Sequence, residues 1–223
     1  MNKKIKVIIT GATGMVGEGV LYECIQHSDI QSILIVVRKP SGITHPKVKE
    51  VIHTDFFNLS AIENHLKDYD ACFFCLGVSS VGMKEEEFYK MTYTLTLNFA
   101  STLSKQNPSM VFCYISGSGT DGTEKGKMMW ARVKGKTEND LIKLPFRQVY
   151  NFRPGYMQPT KGLKNALPYY KYVSWLYPLL RLLFPSFVTT LKEMGLAMIN
   201  AALKGYDKPI IEVKDILKLS KFS

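Results

Sequence analysis

Gly11, Gly14 and Gly17 follow the apolar run Ile5-Lys6-Val7-Ile8-Ile9-Thr10 at three-residue spacing. Glycines so placed at the end of a strand can bind a pyrophosphate by backbone alone. Gly11 supplies the positive φ of a tight turn. Gly14 has no Cβ, so the main chain can approach the anion, and Gly17 lets the next helix pack closely on the strand. The N–H groups that open that helix carry a partial positive charge. Residues Gly11, Thr13, Gly14, Met15, Val16 and Gly17 are therefore the expected phosphate contacts, with a strand over 4–10 and an amphipathic helix over Met15–Gln26.

A carboxylate at the end of the second strand would bind the ribose 2′-OH of NAD(H), whereas an arginine there accommodates the 2′-phosphate of NADP(H). The chain has Val36-Val37-Arg38-Lys39 at that point and no acid. Arg38 can hold a phosphate through two parallel N–H bonds and Lys39 adds a point charge. NADP(H) is therefore the expected cofactor, with NAD(H) as the alternative. Asp55 and Phe56, just after the third strand, are candidates for the adenine amino group and ring. Leu76 and Gly77 end the fourth strand at the carboxyl edge, where the cofactor must lie.

Short apolar runs over 4–10, 32–37, 49–54, 70–76, 110–116, 147–152 and 209–213 alternate with helical patterns. The implied fold is α/β, a Rossmann-like doubly wound parallel sheet with helices on both faces and a small C-terminal substrate lobe. Ser60 and Glu63 suggest a capping box for a helix over 61–67. Further helices are expected over 84–106 and 126–143, and from the Thr190/Glu193 cap to about Leu203. The 223 residues suit a single domain. Its core is 1–155 with the last helix and strand, and its substrate or lid region is 156–189.

The net charge of +10 favours anionic partners in general. No nucleic-acid motif is present, so the expected partner is a small-molecule substrate. The basic N-terminus leads into too short an apolar run for a signal peptide, and a cytoplasmic protein is expected. Cys72 and Cys75 spell C-x-x-C, but residues three apart on a strand point to opposite faces, so no metal site is expected. The segment from Tyr169 to Phe187 is aromatic and leucine-rich, with Pro178, Arg181 and Pro185 interrupting it. That is too broken to span a bilayer. It could be lobe core, pocket lining, a homodimer surface or a weak membrane-surface contact.

Taken together, these features resemble the short-chain dehydrogenase/reductase superfamily in its extended and atypical form, often labelled NAD-dependent epimerase/dehydratase. Later strings are similar to the atypical, Tat-interacting-protein-like branch: Phe74-Cys75-Leu76-Gly77, Ile115-Ser116-Gly117-Ser118, Val133-Lys134-Gly135-Lys136-Thr137-Glu138, Phe152-Arg153-Pro154-Gly155 and Ala197-Met198-Ile199-Asn200. The resemblance implies an oxidoreductase using Ser, Tyr and Lys, the last two in YxxxK. Carried over, Ser118 is the serine and Lys134 the lysine, which also binds the nicotinamide ribose. Pro154 and Gly155 back the nicotinamide, and Arg153 is either a cofactor neighbour or a structural ion-pair former. The tyrosine position is Trp130. Indole donates a hydrogen bond but does not titrate, so another proton source is required. Ser118, Tyr156, Asp121, Lys134 and water are the candidates. The resemblance thus leaves a redox enzyme and a non-catalytic NADP(H)-binding module both open. A membrane-surface or scaffold protein is the third reading.

Overall fold

The computed structural model describes residues 4–166 and 170–222. Five strands of the main sheet run first: β1 Ile5–Thr10, β2 Ile30–Val37, β3 Val48–Ile52, β4 Ala71–Phe74 and β5 Val111–Ile115. Between them lie α1 Met15–Gln26, α2 Glu85–Tyr89 and α3 Leu95–Gln106, the last two joined by a π-helical turn at Lys90–Thr94. After β5 come α4 Met129–Leu141, β6 Gln148–Arg153, β7 Tyr156–Gln158, α5 Tyr170–Val173 and α6 Tyr177–Leu183. The chain closes with β8 Val188–Thr190, α7 Leu191–Lys204, β9 Ile210–Glu212 and α8 Val213–Leu219. The main sheet has seven strands in the order β3-β2-β1-β4-β5-β6-β9, and β7 pairs with β8 in a separate small sheet. Every pairing is parallel.

Alternation along each strand divides the core into two layers. Val7 and Ile9 of β1, with Ile33 and Ile35 of β2, face α1, α7 and α8. Ile8, Leu34 and Val36 face the other way, onto Leu95, Phe99 and Leu103 of α3 and Leu141 of α4. Both faces are covered, so the strands read as nearly continuous apolar runs. Cys72 packs in the second layer and Cys75 against the first, and all four cysteines are free thiols.

The strand order reverses between β1 and β4, and such a switch point opens a crevice at the carboxyl ends of the strands. Thr10 is paired with Phe74 there. The glycine turn and Leu76-Gly77 consequently meet at one place.

Several local expectations are corrected. No α-helix forms over 61–67, only a 3₁₀ turn at Glu63–Leu66. The Ser60 cap is pre-empted, because its N–H and hydroxyl both donate to Asn58 Oδ1 (3.1 and 2.8 Å). The helix expected from 126 starts at Met129. Asp121 holds the intervening loop by accepting the N–H groups of Thr123, Lys125 and Gly126. The last strand stops at Glu212, whose N–H is accepted by Asp215 (3.3 Å) as α8 begins. Tyr169 lies outside the described residues. No helix among the described residues is long and apolar enough to cross a membrane.

Candidate functional site

The turn after β1 closes as expected. Gly11 has φ +69°, and a Cβ on it would lie 2.7 Å from Cys75 O. A Cβ on Gly17 would lie 2.1 Å from Gly11 O, so α1 sits directly on the turn. Gly14 differs: its Cβ would meet only Gly11 O, at 3.4 Å, and Gly77 faces open space. No side chain caps α1 at Gly14. The result is an uncapped helix N-terminus beside a hollow that is free of side-chain bulk at Gly14 and Gly77, a cradle of the kind that admits a phosphate.

That hollow is a cavity of about 200 Å³ lined by Gly11, Thr13, Gly14, Val36, Val37, Arg38, Phe56, Cys75, Leu76 and Gly77. It unites seven of the fifteen expected cofactor contacts, from four separate stretches of chain. Val36, Val37 and Cys75 are additions: as apolar strand residues they carried no sequence signal beyond core. Arg38 and Lys39 are both exposed at the end of β2, but only Arg38 stands on the cavity wall. Met15 and Val16 form the first turn of α1 behind the wall, with Val16 packed on the core.

Phe56 is buried and stacks on Phe99, ring centroids 5.9 Å apart. Asp55 is not on the wall. Its Oδ1 accepts the N–H of Phe57 (2.9 Å), so it shapes the loop carrying Phe56. Asn98 secures the same loop, donating to the carbonyls of Phe56 and Phe57 (both 3.1 Å). Hollows around Asp70 and Arg147 lie at the opposite edge of the sheet and share no residue with the glycine turn.

On the other side of the crevice, the loop after β5 meets α4. Lys134 Nζ donates to Ser116 O (2.8 Å). A Cβ on Gly117 would lie 3.7 Å from Lys134 Nζ, and one on Gly119 3.5 Å from the Trp130 ring. Trp130 and Lys134, one turn apart on α4, therefore flank the same loop. Ser118 is positioned by its backbone, its N–H donating to Pro154 O (2.8 Å). Pro154 thus buttresses the serine loop. Gly155 lies against the chain end of the small lobe, since a Cβ there would come within 2.3 Å of Phe187 O.

Ion pairs fix α4. Arg132 grips Glu85 with two bonds (2.9 and 2.7 Å). Tyr93, Lys136 and Lys143 all donate to Asp140. Burial alone would raise the Asp140 carboxyl, but those three donors outweigh it and hold it near about 2. Deepest is Glu138, fully buried, which accepts from Arg153 through Nε and Nη2 (3.0 and 2.5 Å). Arg153 also reaches Glu212 (3.1 Å). Arg153 is accordingly a structural ion-pair former.

Burial lowers the Lys134 ammonium to about 8, and the Glu138 carboxylate one turn away opposes that shift. The side chain as a whole is only partly covered; its Nζ, beneath the Ser116–Gly117 backbone, is the buried part. The native state therefore binds this proton less tightly than the unfolded chain. Stability should rise with pH between about 8 and ~10.4, by at most ~3 kcal/mol before solvent screening. In urea melts across that window the wild type should gain stability relative to Lys134→Met as pH rises; a constant difference would refute a buried ammonium. Asp121 is an unsuitable proton donor. Hydrogen bonds from Thr123 and then Gly126 hold its carboxyl below the usual range. The Tyr156 hydroxyl donates to Gln158 (2.7 Å).

Comparisons with known proteins agree with this fold. The model of the NAD dependent epimerase/dehydratase family matches residues 7–139, more than half of the chain. The mitochondrial protein FMP52-1 of Scheffersomyces stipitis is 24% identical over 97% of this chain and 98% of its own length. Among solved structures, a UDP-N-acetylglucosamine 4-epimerase from Methanobrevibacter ruminantium M1 is similar at TM-score 0.67 and 17% identity, covering 94% of this chain and 76% of that one. A short chain dehydrogenase family protein from Francisella tularensis gives TM-score 0.60 at 15% identity, covering 92% and 93%. The expectation of a cytoplasmic protein is corrected, because the curated relatives are mitochondrial proteins. The cradle at the β1–β4 switch point and the family match converge, and the chain belongs to the NAD dependent epimerase/dehydratase family, whose Rossmann fold binds NAD(P).

Proposed function

We propose that the protein is an NADP(H)-binding oxidoreductase of the atypical short-chain dehydrogenase/reductase group, acting on a small carbonyl or alcohol. The observation that carries this reading is the cavity that joins the uncapped α1 turn to Arg38. The backbone from Gly11 to Gly17 would hold the pyrophosphate. Arg38 would pair with the 2′-phosphate, with Lys39 adding to the local positive field. Phe56 offers an apolar surface to the adenine, and Leu76-Gly77 would leave room for the bridging portion. Lys134 would hold the nicotinamide ribose, with Pro154 and Gly155 behind the ring.

Bound NADPH would supply a hydride to a carbonyl carbon. The carbonyl oxygen then needs a proton from this chain or from water. Trp130 can orient that oxygen through its indole N–H but cannot give the proton up. With Asp121 committed to its loop and Tyr156 to Gln158, Lys134 is the favoured source. An ammonium near about 8 is mostly protonated at neutral pH and transfers its proton readily. Ser118 would hold the same oxygen in place.

Trp130 also favours a second reading, an NADP(H)-binding module that senses the cofactor and performs no reduction. Stopped-flow oxidation of NADPH across a panel of small carbonyls separates the two. Turnover by the wild type, lowered at least about 100-fold in Lys134→Met, is expected for the enzyme, the scale of a lost general acid. Silence from both the wild type and Trp130→Tyr would leave the sensor.

A further inference from the structure

We propose that the face formed by residues 172–187 is a docking surface for an anionic lipid bilayer. Tyr172 and Trp175 are 78% and 75% exposed, and Leu182 is 77% exposed. Leu179, Phe184 and Phe187 are also at least half exposed. Positions 172, 175, 179 and 182 follow the spacing of a single helical stripe through α5, a 3₁₀ turn and α6. A contiguous apolar stripe on the outside of a soluble fold marks a contact surface. The one charge inside the segment is turned away. Arg181 bonds Glu193 (3.0 and 2.7 Å) and Val188 O (2.8 Å).

The surrounding charge selects the occupant. Residues 156–192 contain no Asp or Glu, but contain Lys161, Lys164, Lys171, Arg181 and Lys192. Lys161 and Lys164 are exposed and border the hollow against Tyr170 and Ser174, beside the stripe. Nearby acids are occupied: Glu193 by Arg181, and Glu18 by the backbone N–H groups of Lys164 and Asn165 (2.9 and 2.8 Å). Trp and Tyr settle at headgroup depth, leucine and phenylalanine reach the acyl boundary, and lysines face anionic headgroups. A second copy of the chain would bring the same cations together, which opposes self-pairing through this face. No helix among the described residues can cross the bilayer, so contact would be at its surface.

Flotation of the full chain with phosphatidylcholine vesicles, with and without phosphatidylglycerol, tests this. Binding is expected only to the anionic vesicles, falling as salt rises. Trp175→Ser with Leu182→Ser should lower partitioning at least about tenfold, with an unchanged thermal melt. Lys161→Gln with Lys164→Gln, remote from the core, should lower it on the order of tenfold or more. Equal binding to neutral vesicles would overturn the proposal, as would no binding at all. So would concentration-dependent dimerisation that the Trp175/Leu182 pair abolishes.

Discussion

Gly17→Ala is expected to destabilise the protein by about 3 kcal/mol and to weaken NADPH binding at least about 100-fold, the upper end of overpacking costs. The added methyl would sit 2.1 Å from Gly11 O, 2.5 Å from Gly11 C and 2.9 Å from Ala12 N. These are backbone atoms, so no rotamer change relieves the clash. Either the turn opens or α1 slides off β1, and sliding strips Val20, Leu21 and Cys24 from the core they help to form. Both responses spoil the phosphate cradle. Gly14→Ala is the informative partner. Its methyl meets only Gly11 O, at 3.4 Å, and otherwise enters the open space that the proposed cofactor would fill. It should melt like the wild type and still lose NADPH affinity. Urea denaturation with NADPH fluorescence titration checks both; a Gly17→Ala protein of native stability would contradict the close packing.

Removing the Glu138 carboxylate should have an effect of similar size. Its side chain is 1% exposed and that of Arg153 15%. Glu138→Ala leaves a largely buried guanidinium with only Glu212, whose side chain is 43% exposed. Breaking one partner of a buried pair costs about 3–5 kcal/mol, and the surviving Glu212 contact places this one near about 3. Arg153→Met added to Glu138→Ala should recover part of the loss, because it removes the uncompensated charge. A double variant less stable than Glu138→Ala would contradict the ion-pair account. Glu138 also supports the Lys134 proton, so in Glu138→Gln the Lys134 ammonium should titrate below its native value near about 8.

The first strand, glycine turn and helix were legible because three independent signals coincide there: an apolar run, glycine spacing and the helix that follows. Arg38 was legible for a similar reason, since the end of the second strand has a fixed relation to the turn. The small β7–β8 sheet was not. Its strands are three residues long, too short for any periodicity. The Ser60–Glu63 pattern misled because a local competitor, Asn58, captures the serine. Asn98 fastens the Phe56 loop through a contact across 42 residues, which composition cannot reveal. Lys134 was found only through its resemblance to a family motif. What makes it chemically distinctive, an ammonium under the Ser116 carbonyl, depends on how α4 crosses the loop after β5.

NADPH and NADH titration of the wild type and Arg38→Ala, followed by protein fluorescence, tests the central claim most directly. The wild type should bind NADPH more tightly than NADH. Arg38→Ala should weaken NADPH by about 10–100-fold, the worth of a charge-assisted bidentate contact, and leave NADH unchanged. Tighter binding of NADH by the wild type, or an equal loss for both cofactors in Arg38→Ala, would contradict it.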